Sequence, residues 1–138
     1  MTDAIFAGNA PAEQDTLPES IYQPQIVSMA HALGWSMIYH PHYSVGSDPG
    51  YPDLTLVHPR KGVCWLEVKG PKPTIYERQV EWLEALQAAG QQAYLVYPGD
   101  YDAVARLLQD GQAHPDDVDA LIANQYRYKA VPFRGRRR

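Results

Sequence analysis

Apolar residues recur at helical spacing between Glu19 and Gly34, at Ile21, Tyr22, Ile26, Met29, Ala30 and Leu33. The lead-in Thr16-Leu17-Pro18-Glu19 has the composition of a helix start. It offers a threonine that can cap, a proline tolerated in the first turn and a glutamate at the capping-box position. Gly34 supplies the stop. Pro24 interrupts the pattern, because it lacks the N–H that would bond the Ser20 carbonyl. Either the helix kinks there or it begins near Gln23, which would leave Glu19 on a loop. The period then changes. Trp35–His40, Leu54–Val57, Val63–Val68 and Gln92–Tyr97 are short runs rich in β-branched and aromatic residues, and they read as strands. His58-Pro59-Arg60-Lys61-Gly62 carries turn residues and joins the second and third runs into a hairpin. Helical spacing returns at Val80, Leu83 and Leu86, opened by the capping-box string Thr74-Ile75-Tyr76-Glu77 and stopped by Gly90. It returns again from Tyr101 to Gln109 at Val104, Leu107 and Leu108, where Asp100 is placed to cap. A last short helix starts at His114-Pro115, with Asp116, Asp117 and Asp119 suited to the positive end of its dipole.

This order of strand, hairpin, helix, strand, helix predicts an α/β fold, a mixed sheet flanked by helices with one right-handed crossover. Residues 1–15 show no periodicity and read as a flexible leader, 16–110 as the main domain, 111–125 as an extra C-terminal helix and 126–138 as a basic tail. At 138 residues, 45% hydrophobic and 20% charged, the chain suits a single globular domain. Its single cysteine, Cys64, has no partner for an internal disulfide and reads as a small core residue. No apolar run approaches the roughly 20 residues that span a bilayer. The first residues lack a basic stretch followed by an apolar core. A cytoplasmic setting is expected.

Charge changes the picture more than composition does. The net charge of −4 argues against a generally basic nucleic-acid binder. All sixteen acids lie before residue 120, however, while six of the twelve Lys and Arg lie between Tyr126 and Arg138. A basic arm of this kind can contact phosphates and release counterions. It can also lie on the acidic body as a solubilising or autoinhibitory tail; phosphate contact is favoured.

The candidate chemistry sits in Pro52–Gly70. If the hairpin strands pair, Asp53 and Glu67 lie at the same end, and Glu67 and Lys69 share one face because residues two apart in a strand do. Two carboxylates and an amine then converge. Carboxylate oxygens and water suit a hard divalent cation, and a cation there can activate water and neutralise phosphate charge. The plainer reading makes Asp53 a turn residue and Glu67 and Lys69 a solvated surface pair. Against it, the strand around Glu67 is apolar, and a charge at the end of a central strand is costly unless paired or metal-bound. His40 and His42 flank Pro41, but two histidines without thiols are a weak zinc signal. The favoured reading has one of them donating to a phosphate or a bound carboxylate and the other solvated. Tyr43, Ser44 and Ser47 lie on the same loop and could touch a nucleic-acid strand. Lys72 and Arg78 flank the site, as phosphate contacts or as solvated charges.

Pro52-Asp53 followed by Glu67-Val68-Lys69 resembles the PD-(D/E)xK nuclease signature. The wider string is Pro49-Gly50-Tyr51-Pro52-Asp53-Leu54, Glu67-Val68-Lys69-Gly70, then Gln79 with Trp82-Leu83. It is similar to the VRR-NUC family (virus-type replication-repair nucleases), from about Glu19 to about Leu108. The resemblance implies a PD-(D/E)xK (restriction-endonuclease-like) core and a metal-dependent nuclease that hydrolyses DNA phosphodiester bonds. It implies Mg²⁺ or Mn²⁺ held by Asp53, Glu67 and the Val68 carbonyl, with Glu19 in the outer shell. Lys69 would orient the attacking water, Gln79 would shape the site, and Glu19 and Gln23 would face it. DNA contacts are expected at Lys72, Arg78, His40, Gln23 and Arg136. It further implies branched, junction or flap DNA as substrate, a two-fold homodimer, and a role in replication, recombination or repair in a bacterial or phage-infected cell. The competing expectation is a non-catalytic module that binds branched or end structures through the same fold and the basic arm.

Overall fold

The computed structural model describes residues 16–41 and 48–133. Its elements are α1 (Glu19–Ala32), β1 (Met37–Tyr39), β2 (Leu54–His58), β3 (Gly62–Val68), α2 (Glu77–Ala88), β4 (Gln92–Val96), α3 (Tyr101–Asp110) and α4 (Pro115–Ala123). Short 3₁₀ turns at Pro98–Asp100 and Asn124–Tyr126 follow β4 and α4. The four strands form one sheet in the order β1-β2-β3-β4. The hairpin pairs antiparallel, with Leu54 opposite Leu66 and His58 opposite Gly62. β1 adds antiparallel to β2, and β4 lies parallel to β3. The parallel pair needs a crossover, which α2 provides. The expected α/β architecture with a mixed sheet is what the chain forms.

Alternation along β3 divides the molecule. Cys64, Leu66 and Val68 face a core shared with Tyr22, Ile26 and Ala30 of α1, Val104, Leu107 and Leu108 of α3, and Leu121 of α4. On the other side Trp65 joins Ile75, Leu83, Ala93, Leu95 and Tyr97 beneath α2. Glu67 is on this second face, two residues after Trp65. β3 and β4 are therefore covered on both sides, and β3 lies between β2 and β4, so the expected central strand is central. Among the described residues no helix is long and apolar enough to cross a membrane.

Local details differ from the sequence pattern. Thr16 does not cap α1: Pro18 is its N-cap, with no side-chain cap, and the Pro18 carbonyl accepts from Ile21 and Tyr22. Pro24 lies inside α1 and the helix runs through it, so Glu19 stays helical, in the first turn. Trp35 and His40 fall outside β1. Trp35 is buried instead and its indole donates to the Leu108 carbonyl at 2.9 Å. The box expected at Thr74 does not open α2, whose N-cap is Tyr76. Asp100 does not cap α3 through its side chain; its Oδ2 accepts from the Tyr97 N–H at 2.7 Å and from Asn124 Nδ2 at 2.8 Å. The last helix does start at Pro115, and its Asp117 pairs with Arg106 at 2.8 Å.

Pro24 is exposed, and its missing N–H leaves the Ser20 carbonyl without its helical donor. Pro24→Ala should restore that bond and raise stability by about 1–2 kcal/mol, less than the full proline penalty because the unfolded chain also gains freedom. Chemical denaturation measures it, and an unchanged or lower midpoint would show that α1 is already adapted to the proline.

Candidate active site

The β2–β3 register carries one step past its last paired residues. Leu54 opposes Leu66, so Asp53 comes level with Glu67, and Asp53 Oδ2 accepts the Val68 N–H at 2.8 Å. A side chain thus takes the ladder position that a further residue of β2 would have filled. The Val68 N–H points to the β2 side, and in a strand the carbonyl of the same residue leaves on that side too.

Glu67 is only 2% exposed. Its Oε2 accepts from Gln79 Nε2 at 2.9 Å and lies 3.2 Å from Lys69 Nζ. Its Oε1 is buried with no hydrogen-bond partner. Burial, and next the Asp53 charge, push the Glu67 carboxyl up to about 8, with Lys69 opposing. Asp53 is raised by burial too, held back chiefly by the Val68 N–H and Lys69. Lys69 is 8% exposed. Its Nζ donates to Thr74 O at 3.0 Å and Gln79 Oε1 at 3.1 Å, and Glu67 is its third partner. An ammonium has three N–H donors, so all three are engaged.

Gln79 joins these groups. Its Oε1 accepts from Lys69 Nζ and from the Tyr76 N–H at 3.0 Å, while its Nε2 donates to Glu67. Two donors against the oxygen and a carboxylate against the nitrogen fix which way round the amide sits. Gln79 is the third residue of α2, so the same side chain that satisfies a free N–H at the helix start also orders the lysine and the glutamate.

Glu19 reaches the same neighbourhood from α1. A Cβ on Gly70 would lie 3.1 Å from the Glu19 nitrogen, so the glycine after Lys69 lets the helix start come close. The Glu19 carboxyl is raised by partial burial and by Asp53, and lowered by Lys69. One turn on, Gln23 Nε2 lies 3.1 and 3.2 Å from the two ring nitrogens of His40, whose charge also bears on Asp53. Pro18, Glu19, Lys69 and exposed Lys72 line a cleft of about 500 Å³. The fold therefore brings together Asp53, Glu67, Val68, Lys69, Gln79 and Glu19, with Gln23, His40 and Lys72 at the margin.

Arg78 is placed differently. Its guanidinium meets Asp48 at 2.7 Å and Glu81 at 3.0 Å and lies 6.0 Å over the Trp82 ring. The expected phosphate contact is committed to two carboxylates. It braces the loop before Asp53: a Cβ on Gly50 would fall 2.6 Å from the Arg78 backbone, which only glycine avoids. Tyr51, singled out only as part of the motif string, packs edge-on against Trp82 at 4.9 Å and holds Thr55 and Trp65 through its hydroxyl. Its position next to Pro52-Asp53 was the available signal. Arg136, His42, Tyr43, Ser44 and Ser47 lie outside the described residues.

A buried carboxylate oxygen without a partner, beside a second carboxylate, is a site that a proton or a cation completes. Among the described residues no three His, Cys, Asp or Glu side chains form a metal cage by themselves. Two carboxylates, a backbone carbonyl and water nonetheless suit a hard divalent cation that keeps several waters and needs few protein oxygens. The residues fit such an ion.

Comparison with known families gives one match. The family model for the VRR-NUC domain matches residues 9–98, spanning every one of these groups. No curated protein and no solved structure gives a significant match.

The raised carboxyl has a consequence for stability. Between its ordinary value of 4.5 and about 8, Glu67 holds a proton in the folded chain that the unfolded chain has lost. Stability of the metal-free protein should therefore fall as pH rises through that window. Thermal melts in EDTA from about pH 5 to about pH 8.5 should show a declining Tm, a decline largely removed in Glu67→Gln. A wild-type Tm that stays flat over this range would mean Glu67 is not held protonated.

Proposed function

The chain belongs to the VRR-NUC family, and from that premise we propose a Mg²⁺- or Mn²⁺-dependent endonuclease that cuts branched DNA. Membership carries the coarser statement, a nuclease-type function with DNA as the partner. The observation that carries the finer one is the buried, half-partnered Glu67 carboxylate beside Asp53, with Lys69 in contact with Glu67 and its charge acting on Asp53. A pure binding module gains nothing from two acids where a phosphate must approach. The preference for junctions or flaps, and a two-fold dimer that cuts paired strands, rest on the family resemblance alone.

In this reading Asp53, Glu67 and the Val68 carbonyl hold the cation, and Glu19 approaches from α1 as an outer-shell group. When bound, the ion supplies charge neutralisation at the phosphate and a more acidic water. The chain does the rest by positioning. Thr74 O and Gln79 Oε1 keep the Lys69 ammonium in place, and the Glu67 contact is the longest of its three. That third N–H is the one Lys69 turns to the attacking water or to the negative charge developing on the phosphate. Burial keeps bulk water from screening this interaction. Lys72, at the open side of the cleft, meets the DNA backbone.

Asp53→Asn keeps the shape and removes one anion. It should lower the cleavage rate by about 10³-fold, since several kcal/mol of transition-state stabilisation go with a metal carboxylate. Labelled linear duplex, single-strand, flap and four-way-junction DNA, with Mg²⁺, Mn²⁺ or EDTA, supply the assay. Wild-type cutting in EDTA, or equal rates in both proteins, would remove the site assignment. Binding of junctions or flaps by both proteins with no cleavage under any ion would leave the non-catalytic module. A chain ending at Phe133, without Arg134 and Arg136–Arg138, should bind DNA more weakly and with a shallower salt dependence, by roughly one unit of slope for each phosphate no longer neutralised. An unchanged slope would free the tail from any role on DNA.

A further inference from the structure

The stretch 124–133 lies beyond the residues matched to the VRR-NUC domain, yet it runs back to the active-site side of the molecule. Asn124 donates to the Leu95 carbonyl at 2.9 Å. Arg127 stacks 4.7 Å over the Tyr97 ring, and Tyr128 meets Tyr97 edge-on at 6.1 Å. Ala130 packs on the core beneath α2. Val131 then pairs with Tyr76 as a parallel bridge. Its N–H donates to Ile75 O at 2.8 Å, and its carbonyl accepts the Glu77 N–H at 2.8 Å. Phe133 closes the contact, edge-on to the Tyr76 ring at 5.1 Å.

The backbone gripped this way is the one that orders the site. Ile75 and Glu77 bond to Val131 on one side. Between and beside them, Thr74 O takes Lys69 Nζ, and the Tyr76 N–H is held by Gln79 Oε1. Two of the three acceptors around Lys69 thus sit on, or lean on, residues 74–77. The Glu77 N–H is also one of the donors a helix start cannot satisfy internally, so the Val131 carbonyl completes the first turn of α2, from which Gln79 projects. We infer that the strap Ala130–Phe133 is a positioning element of the active site, holding Lys69 and Gln79 through the backbone of Thr74–Glu77. The inference rests on the nuclease reading for its kinetic consequence.

A strap that only covered apolar surface would act through side chains. Val131 is 38% exposed, so its side chain covers little, while both of its backbone groups are bonded. The two roles therefore predict opposite substitution patterns. Val131→Pro removes the N–H given to Ile75 and should lower kcat about tenfold, the scale of one missing hydrogen bond, with KM within about twofold. Val131→Ala keeps the backbone and should leave kcat near wild type. A chain ending at Lys129 should behave like Val131→Pro. A chain ending at Phe133 should keep kcat, separating the strap from the arginines that follow it. Amide hydrogen exchange supplies the second readout. In Val131→Pro the Tyr76 and Glu77 amides should exchange about tenfold faster while Leu66 and Leu95 in the sheet stay protected. The inference is overturned if Val131→Pro keeps kcat and Tyr76 protection, or if Val131→Ala is as damaging as Val131→Pro. Should the chain ending at Lys129 fail to fold, Val131→Pro and Val131→Ala decide. Should wild type cut no DNA with any ion, the nuclease reading falls, and Tyr76 protection alone decides whether the strap holds the Gln79 contact.

Discussion

A carboxylate buried at the end of a central strand is the constraint around which the site is built. Effective desolvation of an ion in a protein costs several kcal/mol. Against this, Glu67 receives one amide hydrogen bond and one lysine contact, both on Oε2. Hydrogen bonds to charged groups contribute about 1.5–3 kcal/mol each, so two of them leave the charge at best near balance. Asp53 beside it adds repulsion, and Oε1 has no partner. The arrangement is stable only with a further positive charge, and a proton is the one that water always supplies. Asp53 is tied by the Val68 N–H and Lys69 by Thr74 and Gln79, so neither side chain can swing out to relieve the strain.

What the sequence disclosed and what it hid follow from distance along the chain. The hairpin was legible because strand alternation and turn residues are local, and register then forces Asp53 level with Glu67 and Lys69 onto the Glu67 face. The four strands and the helices were legible for the same reason, apart from the start of α1, which Pro24 left open. Arg78 was not. Glu81 is a helical neighbour three residues on, but Asp48 lies 30 residues earlier, and the pairing that ties the guanidinium to the loop before Asp53 is not local. Gln79 entered only through the family string, because its place depends on how α2 docks. The caps went to other partners than the composition suggested, some local and some distant along the chain. Thr74 and Asp100 have the right chemistry for their helices, but Gln79 and Val131 serve the start of α2, and Asp100 is drawn to Tyr97 and Asn124.

Pro24 shows the opposite case. Local rules left a late start open, and α1 begins at Glu19 instead, because Tyr22, Ile26 and Ala30 are all fully buried against the sheet. Burying such side chains contributes roughly 1.5–3 kcal/mol for each large one, comparable with the whole cost of the proline. The packing of α1 thereby keeps Glu19 in the first helical turn, and Gly70 lets that turn approach the end of β3. A glutamate that a late helix start would have left on a loop is carried towards Asp53 and Lys69 by core residues further along the helix.

The surroundings of Lys69 separate holding from acting. All three of its donors are engaged, one by the Thr74 carbonyl, one by the Gln79 side-chain oxygen and one by Glu67. The first two are neutral acceptors fixed by α2 and the strap, so they set position without changing when charge changes. The third is a charged acceptor whose strength depends on whether Glu67 carries a proton, and anything that draws on Glu67 loosens it. A single buried carboxylate therefore links three properties: the pH at which the empty site is most stable, its affinity for a cation, and the freedom of the Lys69 ammonium to turn outward. An isosteric amide at 67 would ease the first at the expense of the other two. A neutral glutamine there would give a more comfortable fold and a site with one anionic oxygen donor fewer for a divalent ion, which is the trade that buried charge at a functional site embodies.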